Sequence, residues 1–142
     1  MKKIITTLMA AVILVSCLAP CSFAAYEDED FGNEIIEPRY EVIANILISF
    51  SISASGRADC SATVLLPSGY RADLTVELQQ KVGSKWDTIH DWKASGRNFV
   101  EVSGPWYVPS GYSYQLKVTT EVYDAYGNLV EDPIEYSHVR DY

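Results

Sequence analysis

The sequence predicts an all-β protein: a single antiparallel β-sandwich of immunoglobulin-like pattern, with about seven strands. Three observations lead there. Beyond residue 40 apolar and polar residues alternate at a period of two, as half-buried strands require. Clusters of Gly, Pro, Ser and Asn punctuate that alternation about every 8 to 12 residues, the spacing of a sandwich of short strands. After the N-terminal segment no stretch carries an apolar period of 3.6 residues.

The chain begins with a segment that reads as a secretory signal. Lys2 and Lys3 supply the positive start, residues 4–15 form an apolar run broken only by Thr6 and Thr7, and Pro20 ends its helical potential. Ser22-Phe23-Ala24 then places small residues where a signal peptidase reads them, so cleavage is expected after Ala24. The run is too short for a spanning helix, which needs about 20 apolar residues, and nothing later in the chain is apolar enough to serve as one. Leu14-Val15-Ser16-Cys17 resembles the lipobox of bacterial lipoproteins and offers an alternative. Cleavage before Cys17 would leave that residue lipidated and the protein at the cell surface rather than free outside the cell.

Residues 1–24 are therefore expected to be signal peptide, 25–39 an acidic flexible leader, and 40–142 the sandwich domain. Cleavage after Ala24 leaves 118 of the 142 residues. It removes two of the eleven basic residues and none of the nineteen acids, taking the formal net charge from −8 to −10. A chain this acidic is repelled by nucleic acid and by anionic lipid, which excludes both as partners. The leader holds six acids against one base and little to bury, so it is expected to be extended. Of three cysteines only Cys60 follows the signal, so the domain depends on its core without an internal disulfide. Cys60 shares the phase of Ala58, Ala62 and Val64, which places it inside as a small apolar residue rather than a reactive thiol.

Along the domain, Ile46, Ile48, Phe50 and Ile52 form one face of a first strand, and Ala54 to Arg57 the turn into a second with Ala58, Cys60, Ala62 and Val64 inward. Pro67 to Tyr70 breaks the chain. Leu74, Val76 and Leu78 then alternate, and a turn at 82–85 leads to a return strand over 86–92. Trp86, Thr88, His90 and Trp92 are expected on one face of that strand and Ile89 alone on the other, the weak pattern of an edge. Residues 94–98 read as a loop and 99–102 as a short strand ended by Gly104-Pro105. The longest alternation follows, with Tyr112, Tyr114, Leu116, Val118, Thr120 and Val122 expected in the core and Lys117 in solvent. A tyrosine at the start of this penultimate strand, Tyr112 or Tyr114, suits the tyrosine corner of immunoglobulin-like sandwiches. A last strand is expected over 134–140.

Glu37-Pro38-Arg39-Tyr40, the strand 48–53, Ala58-Asp59-Cys60-Ser61-Ala62-Thr63-Val64, Leu78-Gln79-Gln80-Lys81 and Ser110-Gly111-Tyr112-Ser113-Tyr114 together resemble a family of small secreted Firmicutes proteins, mainly clostridial, whose domain has no assigned activity. The resemblance spans the chain beyond the signal and implies export and a β-sandwich. It implies no site residue.

Catalytic sets are absent from the sequence. There are two histidines, His90 and His138, and no Gly-x-Ser-x-Gly elbow. On a strand Asp87 and Asp91 face away from His90, so no Ser-His-Asp arrangement is expected, and His90 reads as a solvated edge residue. Too few His and Cys remain for a zinc site. Asp124-Ala125-Tyr126-Gly127-Asn128 lacks the middle ligand and closing Glu of a calcium loop and reads as a turn. No cofactor is expected. What the composition offers instead is aromatic: Trp86, Trp92 and Trp106, with nine tyrosines from Tyr40 onward. Exposed rings on a β-sandwich stack on sugars or anchor proteins, so these tryptophans are the candidate ligand contacts, against the alternative that they fill the core. The expectation is a non-catalytic extracellular module binding a protein or a glycan. The alternatives are a small bacteriocin-like antagonist and, last, an enzyme using scattered carboxylates.

Overall fold

The computed structural model describes residues 40–142. The expected signal peptide with Cys17 and the expected leader over 25–39 lie outside the described residues. Within them every regular element is a strand, and no helix is long and apolar enough to cross a membrane. Nine strands follow in order: β1 (Asn45–Ile52), β2 (Arg57–Leu65), β3 (Arg71–Val82), β4 (Lys85–Arg97), β5 (Phe99–Tyr107), β6 (Ser113–Tyr123), β7 (Leu129–Glu131), β8 (Ile134–Tyr136) and β9 (Arg140–Asp141). They form two antiparallel sheets. One is β1-β2-β5; the other runs β4-β3-β6, with β7, β8 and β9 each paired to β6. The expected count of about seven becomes nine because β7 forms ahead of the expected last strand, 134–140, and that strand is itself split into β8 and β9. Pro133 has no N–H to give the ladder, yet its carbonyl still accepts from Thr120 N–H at 3.1 Å, and Ser137 N–H reaches the Leu116 carbonyl at 3.0 Å.

Period-two sequence becomes a two-layer core without exception at its centre. Ala58, Cys60, Ala62 and Val64 of β2 face Leu74, Val76 and Leu78 of β3 and Leu116, Val118 and Val122 of β6, all buried. Val100 and Val102 of β5 add to the same layer. Tyr114 is fully buried, and its hydroxyl donates to the Pro109 carbonyl at 2.6 Å, five residues upstream. Tyr112, expected beside it in the core, is 43% exposed because the alternation begins only at Ser113, where β6 starts.

Three local expectations are corrected. Residues 94–97 are not a loop: β4 continues to Arg97 and the chain reverses at Asn98 alone, in the left-handed region at φ 65°. Gly104-Pro105 does not end the fifth strand but lies within it, paired to Cys60 and Asp59. Pro105 is tolerated because β5 is an edge of its sheet. The face of β4 also changes part-way. A bulge between Leu78 and Gln79 leaves Ile89 without a register partner, so Thr88 and Trp86 pair with Gln79 and Lys81 on the outer face, while His90 and Trp92 pair with Leu78 and Val76 on the inner one.

The domain is fastened at its ends. Glu131 accepts backbone N–H groups from Glu41, Val42 and Ile43 at 3.0, 3.2 and 3.1 Å, and Tyr40 donates its hydroxyl to Glu135 at 2.5 Å. Burial and the Glu135 carboxylate push that hydroxyl well above the usual tyrosine range. At the other end Tyr142 N–H donates to the Tyr112 carbonyl at 3.0 Å and its hydroxyl to the Ala54 carbonyl at 3.1 Å. Its ring lies against Gly56, where a Cβ would meet the Val108 carbonyl oxygen at 2.8 Å and where φ is +81°, so only glycine fits.

Two outcomes follow from this packing. Leu116→Ala opens a cavity between the sheets and should cost about 2 to 5 kcal/mol, whereas Lys117→Ala, one residue on and half-buried beside Glu77, should cost about 1 kcal/mol or less; urea unfolding of the pair reads the register of β6 directly. Thr120 is fully buried and its Oγ1 has no hydrogen-bond partner among the described residues. Thr120→Val keeps its shape and removes a desolvated hydroxyl, so stability should rise by about 1 kcal/mol in the same assay.

Candidate functional site

The outer face of the larger sheet is built from the odd-numbered residues of β3 and β6, and their register brings polar side chains from distant positions into rows. Gln79 pairs with Gln115 and Glu77 with Lys117. Gln115 Nε2 donates to Gln79 Oε1 at 2.9 Å, Gln79 Nε2 to Thr88 Oγ1 at 3.5 Å, and Thr88 Oγ1 to Glu77 Oε1 at 3.0 Å. Lys117 Nζ closes the arc on Glu77 Oε2 at 2.7 Å. The result is one continuous polar arc across three strands. Each amide has two N–H groups, and the arc uses one of each.

Over this arc lies a shallow hollow of about 450 Å³, lined by Gln79, Gln115 and Lys117 with Trp86 on one side and Tyr136 on the other. Both glutamines are only 8% exposed and form its floor. Tyr136 comes from β8, paired to Lys117 through the β6 ladder, and is 55% exposed. Trp86 sits opposite Lys81 in the β3–β4 pair, with the Lys81 ammonium 5.9 Å from its ring centre. Two aromatic rings above paired amides can hold a flat, hydroxyl-bearing ligand by stacking and hydrogen bonding together.

The ion pair fixes the electrostatics. The hydrogen bond from Lys117, helped by Thr88 and opposed by burial, holds the Glu77 carboxyl below the usual glutamate range, and the same contact raises Lys117. The lining itself carries no acid, and its one cation is neutralised by Glu77.

The three tryptophans separate. Only Trp86 reaches this hollow. Trp92 and Trp106 meet on the inner side, where β4 and β5 close one flank of the sandwich, with His90 between them. His90 stacks on Trp106 with centroids 3.8 Å apart and meets Trp92 edge-on at 4.5 Å. A Cβ on Gly104 would lie 2.8 Å from Trp92 Cε2, so glycine there lets the indole cross the strand. His90 does lie on an edge strand, but it is half-buried between the two indoles rather than solvated, and Trp106 lies within β5, past the Gly104-Pro105 expected to end that strand, 39% exposed at the rim. Cys60 is 3% exposed, and burial, then Asp59, push its thiol up to about 12. The Asp124 loop is a turn, since its carboxylate accepts from Tyr126 N–H, Asn128 N–H and Asn128 Nδ2 at 2.8 to 2.9 Å.

Sequence reasoning does not single out Tyr136, Gln79, Gln115 or Lys117 as ligand contacts. Their signal is indirect: each amide sits on the polar phase of a strongly alternating strand, and only the β3–β6 register makes them neighbours. Neither a protein-family model nor a curated protein matches the chain.

The Glu77–Lys117 contact predicts an acid-side signature. A glutamate whose folded pKa is depressed contributes stability that is present above its unfolded value, about 4.3, and lost as pH falls through the folded value. The stability difference between the wild type and Glu77→Gln should be constant from pH 7 to about pH 5 and shrink below about pH 4.3. Urea unfolding at pH 7 and pH 3 measures it.

Proposed function

We propose that the protein is an exported, non-catalytic recognition module that binds a neutral glycan through the hollow on the outer face of its larger sheet. The observation that carries the reading is the placement of Trp86 and Tyr136 on either side of the Gln79–Gln115 amide pair. Sugar rings present apolar faces and peripheral hydroxyls, and this arrangement offers a partner for each. Export is supported by Lys2, Lys3, the apolar run over 4–15 and Ser22-Phe23-Ala24. The non-catalytic reading is supported by the lining of the hollow, which carries no carboxylate where glycoside hydrolysis uses a pair. We also read the sandwich as immunoglobulin-like. The support is the Tyr114–Pro109 hydrogen bond at the start of β6 and the grouping of β1, β2 and β5 against β3 and β6. The sequence resemblance to small secreted clostridial proteins accords with both.

A neutral-glycan array probed with the exported protein tests the reading. Binding should appear, and Trp86→Ala should weaken it about tenfold or more, the scale of losing one central aromatic contact, with near-UV circular dichroism showing the fold intact. A blank array, or binding that Trp86→Ala leaves unchanged, would overturn it.

A further inference from the structure

β1 is an open edge of the smaller sheet: it pairs with β2 and with no other described strand. Ser53 N–H donates to the Arg57 carbonyl at 2.9 Å, and the pairing runs from there to Asn45 without a shift in register. Bonded positions alternate in an antiparallel pair, so the backbone of Ser51, Ser49 and Leu47 bonds β2 while the N–H and C=O groups of Ile48 and Phe50 point to the free side. Sheet edges are usually blunted by a charge, a proline or a bulge. β1 has none of these along its eight residues.

A slot of about 330 Å³ runs along this edge, between Ile48 and Phe50 on one wall and Tyr136, Ser137, His138 and Arg140 on the other. The second wall is the edge of the larger sheet, where β8 gives way to β9. Arg140 pairs with the buried Tyr114, so its side chain leaves the ladder on the inner side and reaches the slot. It meets no acid within ion-pair distance among the described residues. The slot thus offers unpaired backbone, apolar side chains and an unmatched cation.

Tyr40 stands at the mouth of the slot, with its hydroxyl on Glu135, the residue before Tyr136. Residues 25–39 precede it and carry six acids against one base. Glu135 to Arg140 is five residues, about 17 Å at strand rise, and an extended chain running back from Tyr40 covers that distance by Ile35. That level brings Glu34 within reach of Arg140 and Glu37 near His138. Phe31, Asn33 and Ile35 share one phase, which can face Ile48 and Phe50. The acids at the mouth are already engaged, Glu131 by three backbone N–H groups and Glu135 by Tyr40.

We infer that residues 31–37 of this chain fill the slot in cis, as a strand antiparallel to β1 with Glu34 paired to Arg140. This adds a strand to the smaller sheet and is independent of the glycan reading. A second copy joined edge to edge through β1 would bring Arg140 no acid, because β1 has none.

Amide hydrogen exchange, read residue by residue by NMR on the exported protein, decides it. The amides of residues 33–37 should exchange at least tenfold more slowly than in a free peptide of the same sequence, at every protein concentration. Arg140→Glu should remove that protection and leave Leu116 and Val118 protected, and adding Glu34→Arg should restore it. Should Arg140→Glu disturb the core amides as well, Glu34→Gln reads the same loss from the other partner. Free-peptide exchange rates over residues 33–37 in the wild type would overturn the inference. Protection that appears only as the protein associates, followed by sedimentation, would overturn the cis arrangement in favour of a neighbouring copy's segment. Protection that Arg140→Glu leaves unchanged, or that the charge exchange does not restore, would overturn the Glu34–Arg140 pairing.

Discussion

The ladder between β3 and β6 sets both faces of this protein. Ten residue pairs, from Arg71–Tyr123 to Gln80–Tyr114, hold the two strands in one register without a bulge. On the inner side that register stacks Leu74, Val76 and Leu78 against Thr120, Val118 and Leu116, all fully buried. A slip of β6 by one residue would send Leu116, Val118 and Thr120 to solvent and bring Gln115 and Lys117 into the core. With Cys60 free and buried, no cross-link among the described residues limits the unfolded chain, so cooperative apolar packing on this ladder carries the fold.

The same register makes the outer face. Residues 36 positions apart, Gln79 and Gln115, become hydrogen-bonding neighbours because their strands pair, and Glu77 meets Lys117 one row along. A rigid core behind the sheet gives these side chains fixed positions, so the polar arc is organised before any ligand arrives. Preorganisation lowers the ordering cost of association, which suits the proposed role of so shallow a hollow.

How far the fold is legible in the sequence depends on whether the period of two stays intact. Along β6 it does, and Tyr114, Leu116, Val118, Thr120 and Val122 read as one buried face from their alternation alone. Along β4 it does not. Ile89 is one extra residue in the ladder, and it exchanges inside for outside between Thr88 and His90. Trp86 and Trp92 have the same parity in sequence and opposite faces in space, and a local pattern contains no sign of where a bulge will fall. Tyr136 is obscured for a different reason: Pro133 and the 137–139 link cut the last strand into fragments of two and three residues, too short for alternation to register. The amide pair lies beyond any local reading, since it exists only through strand neighbours.

The bulge also explains how one edge strand serves two purposes. Had β4 kept a uniform alternation, all its aromatics would share one face. Either Trp86 would be buried with the rest, or Trp92 and His90 would leave the flank between β4 and β5 open. The single extra residue at Ile89 sends His90 and Trp92 inward, where they close the sandwich against Trp106 over Gly104, and sends Trp86 outward onto the polar sheet. A strongly acidic surface gives the outer hollow no long-range pull on anions, and the Glu77–Lys117 pair leaves it without net charge of its own. Under the proposed glycan reading, selectivity comes from shape and from what stacks on the exposed rings. The bulge that frees Trp86 from the core is therefore the feature on which the proposed recognition surface depends.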